Sequence, residues 1–169
     1  AIPLKYGTFA AYGGVFLLNG GWHPALPPLS PGDGWIVDAP PPDTQYSVEL
    51  TTPSGWQAIL NGDAFVEGVP WRWEGRARML TLSLAERFHP YTRKAGDVAL
   101  VYFRTSESAT TARRVLDEAA RVVEFWKRSY GPVPKTRLVF LQGPFRTVLT
   151  AHGENVGLLS DRLLHVLPY

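Results

Sequence analysis

The chain has no cysteine and a single methionine. The first absence excludes disulfides, thiolate nucleophiles, zinc knuckles and iron–sulfur ligation by this chain. It leaves the compartment open, since cytoplasm, periplasm and secretion all accommodate a cysteine-free chain. The one methionine is Met79 and residue 1 is Ala1, so a chain processed, trimmed or cut from something longer is expected. Ala1–Leu18 has no basic segment ahead of an apolar run and does not read as a secretory signal. No apolar run approaches the ~18–20 residues that span a bilayer. Histidine is scarce too: His23, His89, His152 and His165. No His-Glu-x-x-His, Gly-x-Ser-x-Gly or phosphate-loop pattern occurs. Asp161 and His165 lie four apart, a spacing read as a surface contact rather than a metal site. Ser and Asp are plentiful, but no arrangement singles out a triad. Read alone, the chain contains no complete active site.

Neither sign of charge dominates, with 17 basic and 15 acidic residues and a net charge of +2. That balance argues against nucleic acid or an acidic membrane surface as partner. What is present suits a globular protein: 45% apolar and 19% charged residues. A chain of 169 residues corresponds to one or two domains. It is long enough to bury roughly 68–70% of its unfolded surface. Six Trp, seven Tyr and eight Phe favour a β-rich core or several large aromatic contacts.

The first hundred residues read as short strands separated by turn signals. Candidates are Val15–Leu18, Trp35–Val37, Tyr46–Thr52, Gly55–Leu60, Ala64–Val66, Pro70–Glu74, Arg78–Leu84 and Asp97–Arg104. Several alternate apolar and polar residues, as half-buried strands do. Asn61-Gly62 is a strong hairpin dipeptide. Pro24–Gly34 and Ala39–Asp43 are proline-rich and read as rigid loops. His23-Pro24 and His89-Pro90 read as turns. The pattern predicts an antiparallel sandwich or curved meander.

The period then changes. Ala112, Val115, Leu116, Ala119, Val122, Val123 and Trp126 recur at helical spacing. Ser108 is placed to cap the start. Lys127 and Arg128 lie in the last turn, with Gly131 and Pro132 beyond. One long helix over about residues 109–130 is therefore predicted. Arg137–Leu141 follows as a buried strand, with Thr147–Thr150 and Val156–Ser160 as further strands. The expected fold is mostly β and α+β overall: an antiparallel β-sandwich or meander, one long helix, then a short partial sheet. A boundary is expected near Arg104–Ser108, dividing residues 1–104 from 105–169.

One stretch carries candidate chemistry: Thr150-Ala-His-Gly-Glu-Asn-Val-Gly-Leu-Leu159. A Gly lets another backbone approach closely. A carboxylate beside it pairs with an ammonium group. Together they suit the free amino end of a peptide laid along a strand edge. On Gly153-Glu154-Asn155 alone, a plain turn with solvated side chains accounts for the same residues.

Taken in order, these features resemble an aminopeptidase N-like zinc metallopeptidase, a gluzincin. Gly20-Gly21-Trp22-His23-Pro24 resembles that family's G-x-W-Y-P segment, with His23 in the aromatic position. Tyr46–Gly62, with Pro53-x-Gly55-Trp56 and Asn61-Gly62, resembles a hairpin of its N-terminal β-domain. The helix Ala112–Tyr130 with Gly131-x-x-Pro134 resembles the first helix of its catalytic domain. Ala151-His-Gly-Glu-Asn155, followed by Gly157-Leu158-Leu159, falls where the family carries its G-A-M-E-N motif and the next strand. Only Glu154 and Asn155 match directly; Ala151 and Gly153 stand where the family has Gly and Met.

The resemblance implies that Glu154 binds the substrate's α-ammonium and that the Ala151–Gly153 backbone, with Asn155, lines the peptide. It implies zinc in the complete protein, where the metal polarises the scissile carbonyl and activates a water with a Glu as base. The family's zinc ligands, base and transition-state Tyr come after this motif, so no metal or other cofactor is expected in this chain. Residues 1–104 then correspond to part of the N-terminal β-domain, and 105–169 to the start of the catalytic domain. The expected partners are the remaining segment or another chain of the same protein, and a peptide substrate. Two other readings stay open: a non-catalytic β-sandwich binding module, and a peptidase relative that keeps the architecture without the chemistry.

Overall fold

The computed structural model describes residues 8–11, 14–17, 27–36, 41–64, 70–105, 108–143, 150–153 and 155–160. In chain order the first strands are Thr8–Ala11 (β1), Gly14–Leu17 (β2), Leu29–Ser30 (β3), Gly34–Trp35 (β4) and Thr44–Leu50 (β5). Gln57–Leu60 (β6), Asp63–Ala64 (β7), Trp71–Ala77 (β8), Leu82–Ala85 (β9), His89–Ala95 (β10) and Val98–Arg104 (β11) continue the series. A helix, Ala109–Tyr130 (α1), precedes Arg137–Gly143 (β12), Thr150–His152 (β13) and Val156–Ser160 (β14). The fold is mostly β and α+β overall, as the sequence predicts.

Two five-stranded sheets form the centre. One is antiparallel, in the order β1-β2-β9-β6-β7. The other is mixed, in the order β10-β11-β12-β14-β13, with β11, β12 and β14 parallel and the two edge strands antiparallel. Parallel neighbours need a crossover, and α1 supplies it between β11 and β12. The change of period at Arg104–Ser108 is thus a change of element within one β-α-β unit.

Residue pattern sets the layers. β11 is apolar from Val98 to Phe103, as a strand covered on both faces must be. Val98, Leu100 and Tyr102 pack with α1, while Val101 and Phe103 pack with Ile59, Ala85 and Phe88. β12 does the same: Leu138 and Phe140 join the helix side, Val139 and Leu141 the other. The antiparallel sheet also has a second face. There Ala58, Leu60 and Leu82 pack with a ribbon of β5 and β8, whose Tyr46, Val48, Leu50, Trp71 and Trp73 are half-buried. The other ribbon face carries exposed Gln45, Ser47, Glu49, Arg72, Glu74 and Arg76. The stack runs ribbon, antiparallel sheet, mixed sheet, helix.

The helix matches its predicted span and ends at Gly131, whose φ of +91° suits glycine. Two details differ from expectation. Ser108 stands at the N-cap without a side-chain cap bond; its Oγ lies 3.1 Å from Thr111 Oγ1. Its carbonyl accepts from Arg104 Nη1 at 2.9 Å. Val122 and Trp126 are exposed rather than buried, at 63% and 47%. Length accounts for Trp126, since 22 helical residues extend ~33 Å and a seven-residue strand ~23 Å; Val122 is level with the buried Val123 and lies at the margin of the buried face.

Other expectations are corrected. Tyr46–Gly62 is not a hairpin: β5 pairs with β8, and β6 with β7 and β9. The Pro53–Trp56 turn, closed by Trp56 N–H on Pro53 O at 3.1 Å, carries the chain from the ribbon into the next layer. His89-Pro90 is not a turn but opens β10, where Pro90 pairs with Phe103. An edge strand tolerates a proline because one side of it has no ladder to feed. Within Pro24–Gly34, β3 begins a small hairpin with β4. Arg78–Thr81 precedes β9 rather than belonging to it. The segments Gly20–Pro24, Thr147–Leu149 and Asp161–His165 lie outside the described residues.

Candidate functional site

The Gly153-Glu154-Asn155 segment links β13 to β14. Those strands pair antiparallel, with Ala151 opposite Leu158 and His152 opposite Gly157. Gly153 N–H donates to Val156 O at 2.8 Å and closes the turn. β13 is the end strand of the mixed sheet among the described residues. Such an edge offers backbone donors and acceptors to an added extended peptide. Ala151 thus lies on the edge strand and Gly153 at the turn beside it. Asn155 is exposed, and its Oδ1 accepts from Lys135 Nζ at 2.5 Å. Glu154 lies outside the described residues.

The turn meets a second turn from the other sheet. Asn61 and Gly62 join β6 to β7 with φ of +48° and +89°. Positive φ at both positions is the type I′ signature that Asn-Gly predicts. A Cβ placed on Gly62 would lie 3.1 Å from Val139 Cγ2 and 3.5 Å from Asn155 O. Asn61 and Thr81 clasp each other: Asn61 N–H donates to Thr81 O at 2.9 Å, and Thr81 N–H to Asn61 Oδ1 at 2.8 Å. Both are buried. Thr81 in turn packs against Gly153.

Just beyond, Asp63 ties three layers together. Its Oδ1 accepts from Arg137 Nη1 of the mixed sheet at 2.8 Å, and its Oδ2 from Trp73 Nε1 of the ribbon at 3.1 Å. At the far end of β6, Gln57 Oε1 accepts from Phe88 N–H at 2.7 Å. β6 therefore crosses the mixed sheet from its β10 side to its β12–β14 side. Sequence reading singled out neither Asn61 nor Thr81, Asp63, Lys135 or Arg137 as site residues. The Asn-Gly dipeptide signals the turn, but nothing local signals what the turn touches.

Among the described residues, no three His, Cys, Asp or Glu side chains gather to hold a metal. No described helix is long and apolar enough to cross a membrane.

A half-antiparallel, half-parallel stack with a crossover helix and a short antiparallel edge strand is a recognisable arrangement. It matches the crystal structure of an M1 zinc metallopeptidase from Deinococcus radiodurans with a TM-score of 0.64 at 16% identity, over 94% of this chain and 38% of that one. A mutant of that metallopeptidase matches with a TM-score of 0.60 at 17% identity, over 98% of this chain and 41% of that one. A two-domain M1 zinc metallopeptidase mutant bound to L-arginine gives the same four values. The chain spans about two fifths of the length of these structures. At such identities the likeness is one of fold. No protein-family model matches the chain, and no curated protein matches it significantly.

Proposed function

We infer that the chain is part of a zinc aminopeptidase-like protein, in which it supplies scaffold and receives the amino end of a peptide substrate. One observation carries the reading: Gly153 and Asn155 flank the link from β14 to β13, which is the end strand of its sheet among the described residues, in a fold like that of M1 zinc metallopeptidases. In this reading residues 1–104 are part of the N-terminal β-domain and 105–169 begin the catalytic domain, with β10 and β11 lending two strands to the latter's sheet. A peptide adds to the β13 edge through backbone hydrogen bonds. Glu154 meets its ammonium group, Asn155 flanks it, and the Ala151–Gly153 backbone lines it. The described residues gather no zinc ligand set, so no step through the metal is assigned to them. The metal, its ligands and the general base belong to the remaining segment of the protein or to another chain of it.

The test uses the natural full-length protein with L-arginine 4-nitroanilide and its N-acetylated counterpart. A charge-assisted bond to the ammonium group is worth about 1.5–3 kcal/mol. Glu154→Ala is therefore expected to slow the free-amino substrate about 10- to 150-fold and the blocked one little. Equal losses on both, or none on either, would reduce Glu154 to a surface residue.

A second reading has its own observation. Val122, Phe125, Trp126 and Tyr130 form an exposed apolar row on α1, with the Trp126 and Tyr130 rings 4.9 Å apart. Such a row suits a non-catalytic interaction module. Absence of any hydrolysis by the full-length protein with zinc supplied would favour it.

A further inference from the structure

The Gly153–Asn155 turn takes its position from the sheet it does not belong to. β13 has three residues and only β14 as neighbour among the described strands. Across the layer boundary the fit is close. A Cβ added at Gly153 would overlap Thr81 Oγ1 and stand 2.6 Å from its Cγ2 and 2.8 Å from its Cβ. No side chain fits there while Thr81 stays. Thr81 has no room to yield, being 1% exposed and held through both backbone groups by Asn61. Asn61 is 6% exposed, and its Nδ2 has no hydrogen-bond partner among the described residues. A buried donor left unpaired costs stability. What Asn provides in return is a left-handed turn residue whose side chain also anchors Thr81. The neighbouring Gly62 abuts the Asn155 carbonyl.

We propose that Asn61 and Thr81, in the antiparallel sheet, are positioning residues that set how deep the Gly153–Asn155 turn sits at the end of the β13 edge. The proposal rests on the reading that this turn receives a peptide's amino end. The turn's register is then a property of the Thr81–Gly153 pair, not of the β13–β14 hairpin alone. A larger residue at 153 requires a smaller one at 81.

Hydrogen exchange on the chain reads the pair directly. The amide of residue 153 donates to Val156 O and is therefore expected to exchange slowly. Gly153→Ala is expected to speed its exchange at least about tenfold, and the double variant Thr81→Gly/Gly153→Ala to return it to within about threefold, since contacting residues couple by 0.5–3 kcal/mol. A double variant as loose as the single one overturns the pairing. Should Gly153→Ala fail to fold, Thr81→Gly alone decides: exchange at residue 153 rises while the β11 amides keep their rates, and an unmoved residue 153 overturns the proposal. In the natural full-length protein, Gly153→Ala should raise KM for L-arginine 4-nitroanilide about tenfold with kcat within about threefold, and the double variant should restore it. Coupling in exchange with KM unmoved overturns the positioning role. If instead Glu154→Ala affects free and acetylated substrates alike, the peptide-end reading falls while the Thr81–Gly153 coupling survives.

Discussion

The two inner sheets meet the same requirement, burial on both faces, by different routes. The antiparallel sheet gathers strands from residues 8 to 85 and places β9 between β2 and β6. The Asn61-Gly62 turn joins two of its neighbours directly, and its outer face is covered by a β-ribbon. The mixed sheet is compact in sequence after β10, yet its parallel pairs depend on α1, which both connects and covers it. Their shared core joins Ile59 and Ala85 to Val101, Leu141 and Leu158. A turn at the end of one sheet gets its precision from both. Among the described residues the turn at the mixed sheet's end has one neighbouring strand, and the other sheet supplies the remaining contacts.

The largest effects are expected when each sheet is hollowed in turn. Leu141 and Leu60 are both fully buried, one in the shared core and one under the ribbon. Either Leu→Ala change is expected to cost about 2–5 kcal/mol, transfer and cavity terms together. The helix signal in circular dichroism and the tryptophan fluorescence should shift together in Leu141→Ala. Separate transitions in that variant would show two independently melting sheets and remove the shared core as the link between them.

A smaller effect is expected at the meeting of the two turns. Gly62 holds φ at +89° and has Val139 Cγ2 where a Cβ would press at 3.1 Å. Gly62→Ala should cost about 1–3 kcal/mol, the range for a non-glycine residue held in this backbone region. Chemical denaturation measures it. A neutral result would mean that the antiparallel turn does not press on the mixed sheet. Asp63 offers a gentler version of the same test, because it accepts from Trp73 and Arg137 at once. Its ion pair is half-exposed, at 42% for Arg137 and 51% for Asp63, so it contributes about 0–1 kcal/mol. The indole bond adds about 0.5–1.5 kcal/mol. Asp63→Ala should therefore lose more than Arg137→Ala, and equal losses would assign all of the effect to the ion pair.

How much of this was legible in the sequence follows the same division. The span of α1, the bounds of β14 and the Asn61-Gly62 turn were readable because local period and turn chemistry decide them. The pairing of β5 with β8 was not, because both strands alternate equally well against any partner. β10 was missed behind His89-Pro90, since a proline in an edge strand looks like a turn until the edge is known. Trp126 sits on the buried face of α1 but beyond its last buried residue, Val123, whereas Val122 sits at that face's margin. At the candidate site, Gly153 and Asn155 stood out by residue type. Thr81 did not, because its role depends on a neighbour 72 positions away that only the stacked sheets bring close.

The smallest effect is expected at the outer layer. α1 is tied to the β10–β11 turn by an ion pair between Lys127 and Asp97. The hydrogen bond from Lys127 holds the Asp97 carboxyl below its ordinary value of 3.8, with a backbone hydrogen bond and the Lys127 charge adding to the shift. A carboxyl depressed by folding contributes stability that is fully present above its unfolded value. That contribution is lost as pH falls through the lower folded value. The native chain should therefore lose part of its thermal stability between about pH 4 and lower pH, and Asp97→Asn should lack that part of the loss while matching the native chain less well at neutral pH. Asp97 is 73% exposed, so water and salt screen the pair and the difference should shrink further as salt is added. Thermal melts of both chains across this range, at low and high salt, check it. Parallel pH profiles would show that the Lys127–Asp97 pair adds nothing measurable, leaving α1 held by its Leu116 and Val123 face and by the ion pair between Asp117 and Arg93 of β10.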